Sequence, residues 1–294
     1  MSKVTRIVVK TRCSDSVVSK MKGTIPEESH YDFMLTSDCN LYNTKGELLL
    51  ALRKACIDEE IYEKAYEDLH WLKRMKTDNR GSYSGGERHR RIKRDGTVTN
   101  TTWSKMVASA TIGYYDRYPR IPYCRQTAFM AQQPERWGRV LPLIQDVAKV
   151  YKETVPEKYR IQEEFAKTCH PEWVIPETPF TTVTVNNCVV ARYHTDKGDF
   201  KGGFGLLACF RRGNYKGFEL VIPEYKVAVD LGHRDLLFFN PHLWHGNAEP
   251  YAEEGEQGVD WERISMVFYF REKMVQCLDM ASELERAKSL RGKV

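Results

Sequence analysis

From Pro179 onward the chain is cut into short runs of β-branched and aromatic residues: FTTVTVNN, VVARYHTD, GFGLLACFRR, GFELVIPE, YKVAVDL, DLLFFN and ISMVFYFRE. Gly, Asn, Asp and Pro separate them, which is a strand pattern. RRGNYKG, between two of these runs, reads as a hairpin connection. Upstream the period changes. Residues 45–76 place apolar positions at helical spacing with no proline, and read as one or two helices. Residues 137–152, 157–168 and 273–291 read the same way. Helices first and strands after predict an α+β protein. Its expected core is a jelly-roll double sheet, supported by N-terminal helices and followed by a C-terminal helix.

This gives one domain over residues 1–294. Residues 1–175 are expected to be mainly helical support with a basic loop, 176–272 the β core, and 273–294 the terminal helix. Hydrophobic residues make up 41% of the chain, enough for a real core. No apolar run is long enough to span a membrane as a helix, and the apolar run near the N-terminus is too short for a signal peptide. An intracellular protein is expected, with a monomer as the working assumption. The eight cysteines are scattered without a CxxC pair, and are expected to be reduced thiols.

Net charge is only +5, so its distribution matters more than its size. Residues 71–96 hold Lys73, Arg74, Lys76, Arg80, Arg88, Arg90, Arg91, Lys93 and Arg94 against Asp78, Glu87 and Asp95. That run is either a solvated surface or a strip of phosphate contacts.

The candidate chemistry lies in RYHTDKGDFKGGFG, residues 192–205. On an extended segment, His194 and Asp196 point to one side. FFNPHLWHGN, residues 238–247, offers His242 or His245 as a third ligand. Two histidines and a carboxylate with open positions opposite are the donor set of non-haem Fe(II) oxygenases. The small glycine after His245 lets a metal and a ligand come close, so His245 is the expected ligand and His242 a supporting residue. A cosubstrate such as 2-oxoglutarate would fill two open positions and O2 the third. Its far carboxylate needs a cation, and WERISMVFYF supplies Arg263 with Ser265 on the same face. A charge in so apolar a strand is costly unless it is paired.

With HxD, a distal histidine and RxS on the page, the chain resembles the Fe(II)/2-oxoglutarate dioxygenase superfamily, and within it the TET/JBP branch. FTTVTVNN, HTDKGDFKGGFG, YKGFELVIPEYKVAVDL, DLLFF and WHGN carry the likeness, as does TIGYYDRYPRIPYCRQTAF at 111–129. It covers roughly residues 80 to 272. The resemblance implies a double-stranded β-helix, iron held by His194, Asp196 and His245, and 2-oxoglutarate held by Arg263 and Ser265. It further implies oxidation of the 5-methyl group of 5-methylcytosine or thymine in DNA, with the base flipped from the stack. The kinetoplastid members carry a further DNA-binding region for which this chain has no room, so a minimal catalytic unit is expected.

Asn186 and Asn247 flank the metal strands, and their amides suit either a pyrimidine edge or turn geometry. Arg117, Arg120 and Arg125, interleaved with Tyr114, Tyr115, Tyr118 and Tyr123, suit either a nucleic-acid groove or aromatic packing. Together with Arg88, Arg90 and Arg91, Asn186, Asn247 and Arg125 are the expected substrate contacts. Three rivals remain: an oxygenase acting on a protein side chain or metabolite, a silent DNA-binding module, and a sugar-binding jelly roll. Iron-dependent succinate production separates enzyme from binder. Analysis of treated DNA separates base oxidation from the other oxygenase reactions.

Overall fold

A computed structural model describes residues 4–77, 89–119, 121–252 and 261–291. In chain order the strands are β1 (Thr5–Val9), β2 (Phe33–Leu35), β3 (Cys39–Asn43), β4 (Leu48–Arg53), β5 (His89–Ile92), β6 (Val98–Trp103), β7 (Ser109–Tyr115) and β8 (Arg125–Gln126). Then follow β9 (Thr182–Asn187), β10 (Gly205–Arg212), β11 (Leu220–Ile222), β12 (Val227–Val229), β13 (Leu236–Phe239), β14 (Gly246–Asn247) and β15 (Glu262–Tyr269). The α-helices are α1 (Asp15–Val18), α2 (Glu59–Trp71), α3 (Ala128–Gln132), α4 (Pro134–Thr154), α5 (Pro156–Ala166) and α6 (Met280–Arg291).

Two sheets face each other. The larger runs β1-β3-β4-β13-β10-β15-β9-β7-β8, and the smaller β14-β11-β12-β2. The central strands are apolar on both faces because both are covered. Leu206, Ala208, Phe210, Ile264, Met266 and Phe268 pack under α2 and α4, against Tyr62, Leu69, Leu143 and Val147. The alternate residues Leu207, Cys209, Leu237 and Phe239 pack against Leu220, Ile222, Val227 and Val229 of the smaller sheet. That period of two gives each strand of the large sheet a helix-facing side and an interior side. α2 starts where the Asp58 carboxylate accepts from Ile61 N at 3.0 Å. α4 and α5 each start on a proline, at Pro134 and Pro156, whose missing N–H costs nothing at a helix start.

Gly113 sits in β7 at φ 90°, where a Cβ would press on Thr181 O. Only glycine lets β7 lie so close to the start of β9.

Three sequence expectations need correction. Residues 45–76 are not all helix, because Leu48–Arg53 forms β4 between β3 and β13. The N-terminal region thus extends both sheets as well as supporting them. RRGNYKG is not a hairpin: β10 pairs with β13 and β15, whereas β11 pairs with β12 and β14, so the segment crosses between sheets. Cys124 and Cys277, with Cα atoms 5.9 Å apart, form a disulfide, so not all the thiols are free.

Candidate metal centre and cosubstrate cavity

The segment before Asp196 runs antiparallel to β14 without forming a regular strand. Asn247 N donates to Ala191 O at 2.7 Å. His194 and His245 exchange backbone bonds, at 2.9 Å from His194 N and 3.0 Å from His245 N. The two histidines are therefore direct partners, with ring centroids 4.4 Å apart. Asp196, two residues on, falls on the same side. His194 Nε2 lies 3.6 Å from Asp196 Oδ1, and His245 Nε2 lies 3.6 Å from Asp196 Oδ2. These distances exceed hydrogen bonds. One ligand atom from each of the three residues lies within 4.8 Å of the others.

Both rings are oriented the same way. His194 Nδ1 bonds Arg192 O at 2.7 Å and His245 Nδ1 bonds Leu243 O at 2.8 Å. A carbonyl can only accept, so each Nδ1 carries a proton and each Nε2 is the ring nitrogen turned toward Asp196. Burial, reinforced by the neighbouring His194, lowers the His245 pKa to about 4 and keeps its imidazole neutral. Two imidazole nitrogens and a carboxylate fit a borderline divalent ion such as iron. His242 stands outside the group, and its buried Nε2 has no hydrogen-bond partner among the described residues. Backbone pairing with His194 is what selects His245.

The cluster opens on a cavity of about 430 Å³ between the sheets. Its far wall is the interior side of β15 and β9, where Arg263, Ser265, Tyr269, Thr184 and Asn186 all face it. Ser265 sits opposite Asn186 on β9 and opposite Cys209 on β10. Arg263 is only 3% exposed, and among the described residues it forms no salt bridge. A buried guanidinium without a carboxylate is a seat for an anionic ligand.

The two asparagines are differently committed. Asn186 Oδ1 accepts from Ser109 Oγ at 2.6 Å, while Asn247 Nδ2 donates to Phe218 O at 3.1 Å. Toward the cavity, Asn186 therefore offers a donor and Asn247 an acceptor. Sequence reading missed Thr184, Tyr269 and Arg271. Thr184 Oγ1 and Tyr269 OH lie 2.9 Å apart, and Arg271 is held by Asp116 at 3.3 Å and Asp199 at 3.8 Å. The period of two that runs from Arg263 through 265 and 267 is the signal that finds Tyr269 and Arg271.

Other expected contacts lie elsewhere. Arg125 does not line the cavity; its guanidinium lies over Tyr115 at 4.5 Å and Tyr118 at 5.5 Å. Arg117 pairs with the buried Glu283 of α6, and Tyr114 packs edge-on against Trp173. Part of that stretch thus docks the terminal helix. Arg120 and Arg88 lie outside the described residues, as does the side chain of Arg91. The basic run includes a separate two-stranded hairpin, β5–β6, on which Arg90, Lys93 and Arg94 are exposed. Its C-terminal end leads into β7 at Ser109, the residue bonded to Asn186.

Comparison with known proteins agrees with this geometry. The family Tet_JBP, described as the oxygenase domain of the 2OGFeDO superfamily, matches residues 110–272. Thymine dioxygenase JBP1 of Trypanosoma brucei brucei is 36% identical over 167 residues, which are 55% of this chain and 19% of that protein. The bifunctional helicase and thymine dioxygenase JBP2 of the same organism is 31% identical over 287 residues, 95% of this chain and 24% of that protein. That match reaches well beyond residues 80–272. The chain spans about a fifth to a quarter of the length of these curated relatives. The structure of NgTET1 in complex with 5mC DNA aligns over 98% of this chain and 91% of that one, with a TM-score of 0.62 at 12% identity, and so shares the fold. The family match covers more than half of the chain and contains all three residues of the cluster together with Arg263, so the chain belongs to the Tet/JBP oxygenase-domain family of the 2OGFeDO superfamily.

Proposed function

We propose that this protein is an Fe(II)/2-oxoglutarate-dependent dioxygenase that converts the 5-methyl group of a pyrimidine base in DNA to hydroxymethyl. The observation that carries this reading is the converging His194–Asp196–His245 donor set sharing one cavity with a buried arginine that no carboxylate among the described residues neutralises. His194 and His245 would hold the iron through Nε2, and Asp196 through a carboxylate oxygen. Arg263, with Ser265 beside it, would take the far carboxylate of 2-oxoglutarate. Iron, 2-oxoglutarate and O2 together would supply the oxidant, with one oxygen atom going to the new hydroxyl group and the other to succinate as CO2 is lost. The chain's own residues bind, orient and exclude water.

The relatives named as thymine dioxygenases support a methylpyrimidine as substrate, and the donor of Asn186 with the acceptor of Asn247 suits its polar edge. Enclosure of the methyl group requires a base out of the stack, at a cost of roughly a few kcal/mol. A DNA substrate also implies action inside the cell. The test is incubation with Fe(II), 2-oxoglutarate and matched oligonucleotides bearing thymine or 5-methylcytosine, followed by nuclease digestion and mass spectrometry. A hydroxymethyl nucleoside from one of them is the expected result. Succinate without base oxidation would point to a protein or metabolite substrate, and no succinate at all to a binding module.

The hairpin is expected to hold phosphates. Neutralising Arg90, Lys93 and Arg94 should weaken binding to every DNA sequence alike and flatten its salt dependence, by roughly 0.9 in log–log slope per lost contact on duplex. Succinate release without DNA should persist. Equal slopes for wild type and variant across a salt series would make the hairpin a solvated surface.

A further inference from the structure

Arg263 is seated by more than its own strand. Its guanidinium carbon lies 4.9 Å from the centroid of the Phe218 ring, and both residues are 3% exposed. That ring in turn meets Tyr215 edge-on at 5.8 Å and Trp261 at 5.7 Å. Arg263 therefore has an aromatic wall against it while it also lines the cavity.

Phe218 occupies an unusual backbone position. Its φ is 61°, a left-handed conformation that bulky residues avoid. It follows Gly217 at φ 88°, where a Cβ would collide with Glu249 O. The chain is held there by pairing with the extension of β14. Phe218 N donates to Ala248 O at 3.2 Å, Ala248 N to Glu219 O at 3.1 Å, and Lys216 and Tyr251 exchange bonds at 2.9 and 3.0 Å. The Phe218 carbonyl also accepts from Asn247 Nδ2 at 3.1 Å. Such a conformation persists only where its surroundings over-determine it. A glycine would adopt it without strain, and the ring is what a glycine lacks.

We propose that Phe218 is a positioning residue that aims Arg263 at the carboxylate of the cosubstrate. The ring face attracts the guanidinium, holds its plane and keeps water from that side, so the fork is presented to the cavity. The bond from Asn247, two residues beyond His245, ties the same turn to the strand that carries the metal site. This inference rests on the reading of the cavity as a 2-oxoglutarate site.

The test compares Phe218→Leu, Phe218→Gly and Phe218→Tyr with wild type by calorimetric titration of 2-oxoglutarate into the manganese(II)-loaded protein under argon. Phe218→Leu and Phe218→Gly are expected to weaken binding about tenfold, and Phe218→Tyr to stay within about twofold. In iron-dependent turnover, KM for 2-oxoglutarate should rise by the same factor while kcat at saturating cosubstrate is retained. Phe218→Gly relieves the backbone strain, so it keeps the test open should Phe218→Leu fail to fold. A merely structural role would rank the variants by melting temperature instead of by the presence of a ring. Wild-type affinity in Phe218→Gly would overturn the inference. A wild-type protein that takes up no 2-oxoglutarate would instead overturn the proposed function.

Discussion

Asp196→Ala and His245→Ala are expected to abolish iron-dependent succinate release while leaving the fold intact. Each removes one of three converging donor atoms, and two ligands hold a divalent ion far less tightly than three. Loss of a mere outer partner of a metal site typically costs ~10–100-fold in affinity or activity, so loss of a ligand should exceed that. The fold should survive because neither side chain belongs to the apolar clusters between the sheets or under the helices. His194 and His245 are joined through their backbones, so His245→Ala keeps that pairing. His242→Ala is the control, since His242 lies outside the cluster. Iron content, succinate release and circular dichroism should be measured on all three variants. Retained iron and turnover in His245→Ala, with both lost in His242→Ala, would sink the ligand assignment.

The same geometry explains what was legible in the sequence. HxD is readable because an extended segment puts i and i+2 on one side whether or not it forms a regular strand, and here it does not. Arg263 is readable because a cation at the head of the apolar run ISMVFYF has no inexpensive explanation other than a partner. Choosing between His242 and His245 was harder. The glycine argument favours His245, and what brings that residue beside His194 and Asp196 is a non-local backbone pairing with His194. The cavity residues Tyr269 and Arg271 follow from extending the register of Arg263 along β15. That extension looks idle until a ligand is placed there.

The misread elements share a different cause. LLLALR before α2 carries no period, and a short apolar run suits a buried strand as well as a helix. Only its partners, β3 and β13, settle the matter, and β13 lies far along the chain. RRGNYKG has the local chemistry of a hairpin turn, but local chemistry does not say which sheet the next strand joins. The Cys124–Cys277 pairing spans 153 residues and leaves no mark in local spacing. The stacking of Arg125 on Tyr115 and Tyr118 is one of the two arrangements that the Arg–Tyr interleaving suits, a nucleic-acid groove being the other. Composition is the same in both cases, so only coordinates separate them.

Arg263→Lys is expected to raise the 2-oxoglutarate concentration needed for half-maximal turnover by roughly tenfold or more, the equivalent of one to two kcal/mol. The charge is kept, so any effect isolates the planar fork. Lysine presents a compact ammonium on a flexible stem, which cannot meet both carboxylate oxygens in one fixed plane. It also forfeits stacking of a planar group on Phe218, whose centroid lies 4.9 Å from the guanidinium carbon. Burial makes the loss larger than at a surface site, because an ammonium held between the sheets is far from the water it prefers. Iron content should match wild type, since Arg263 lies outside the three-residue cluster. The measurement is initial succinate release against 2-oxoglutarate concentration at fixed iron and DNA, with iron content determined in parallel. An unchanged cosubstrate dependence with intact iron would assign the arginine to packing alone, and the anion seat of the cavity would have to be sought at Arg271, which Asp116 and Asp199 already engage.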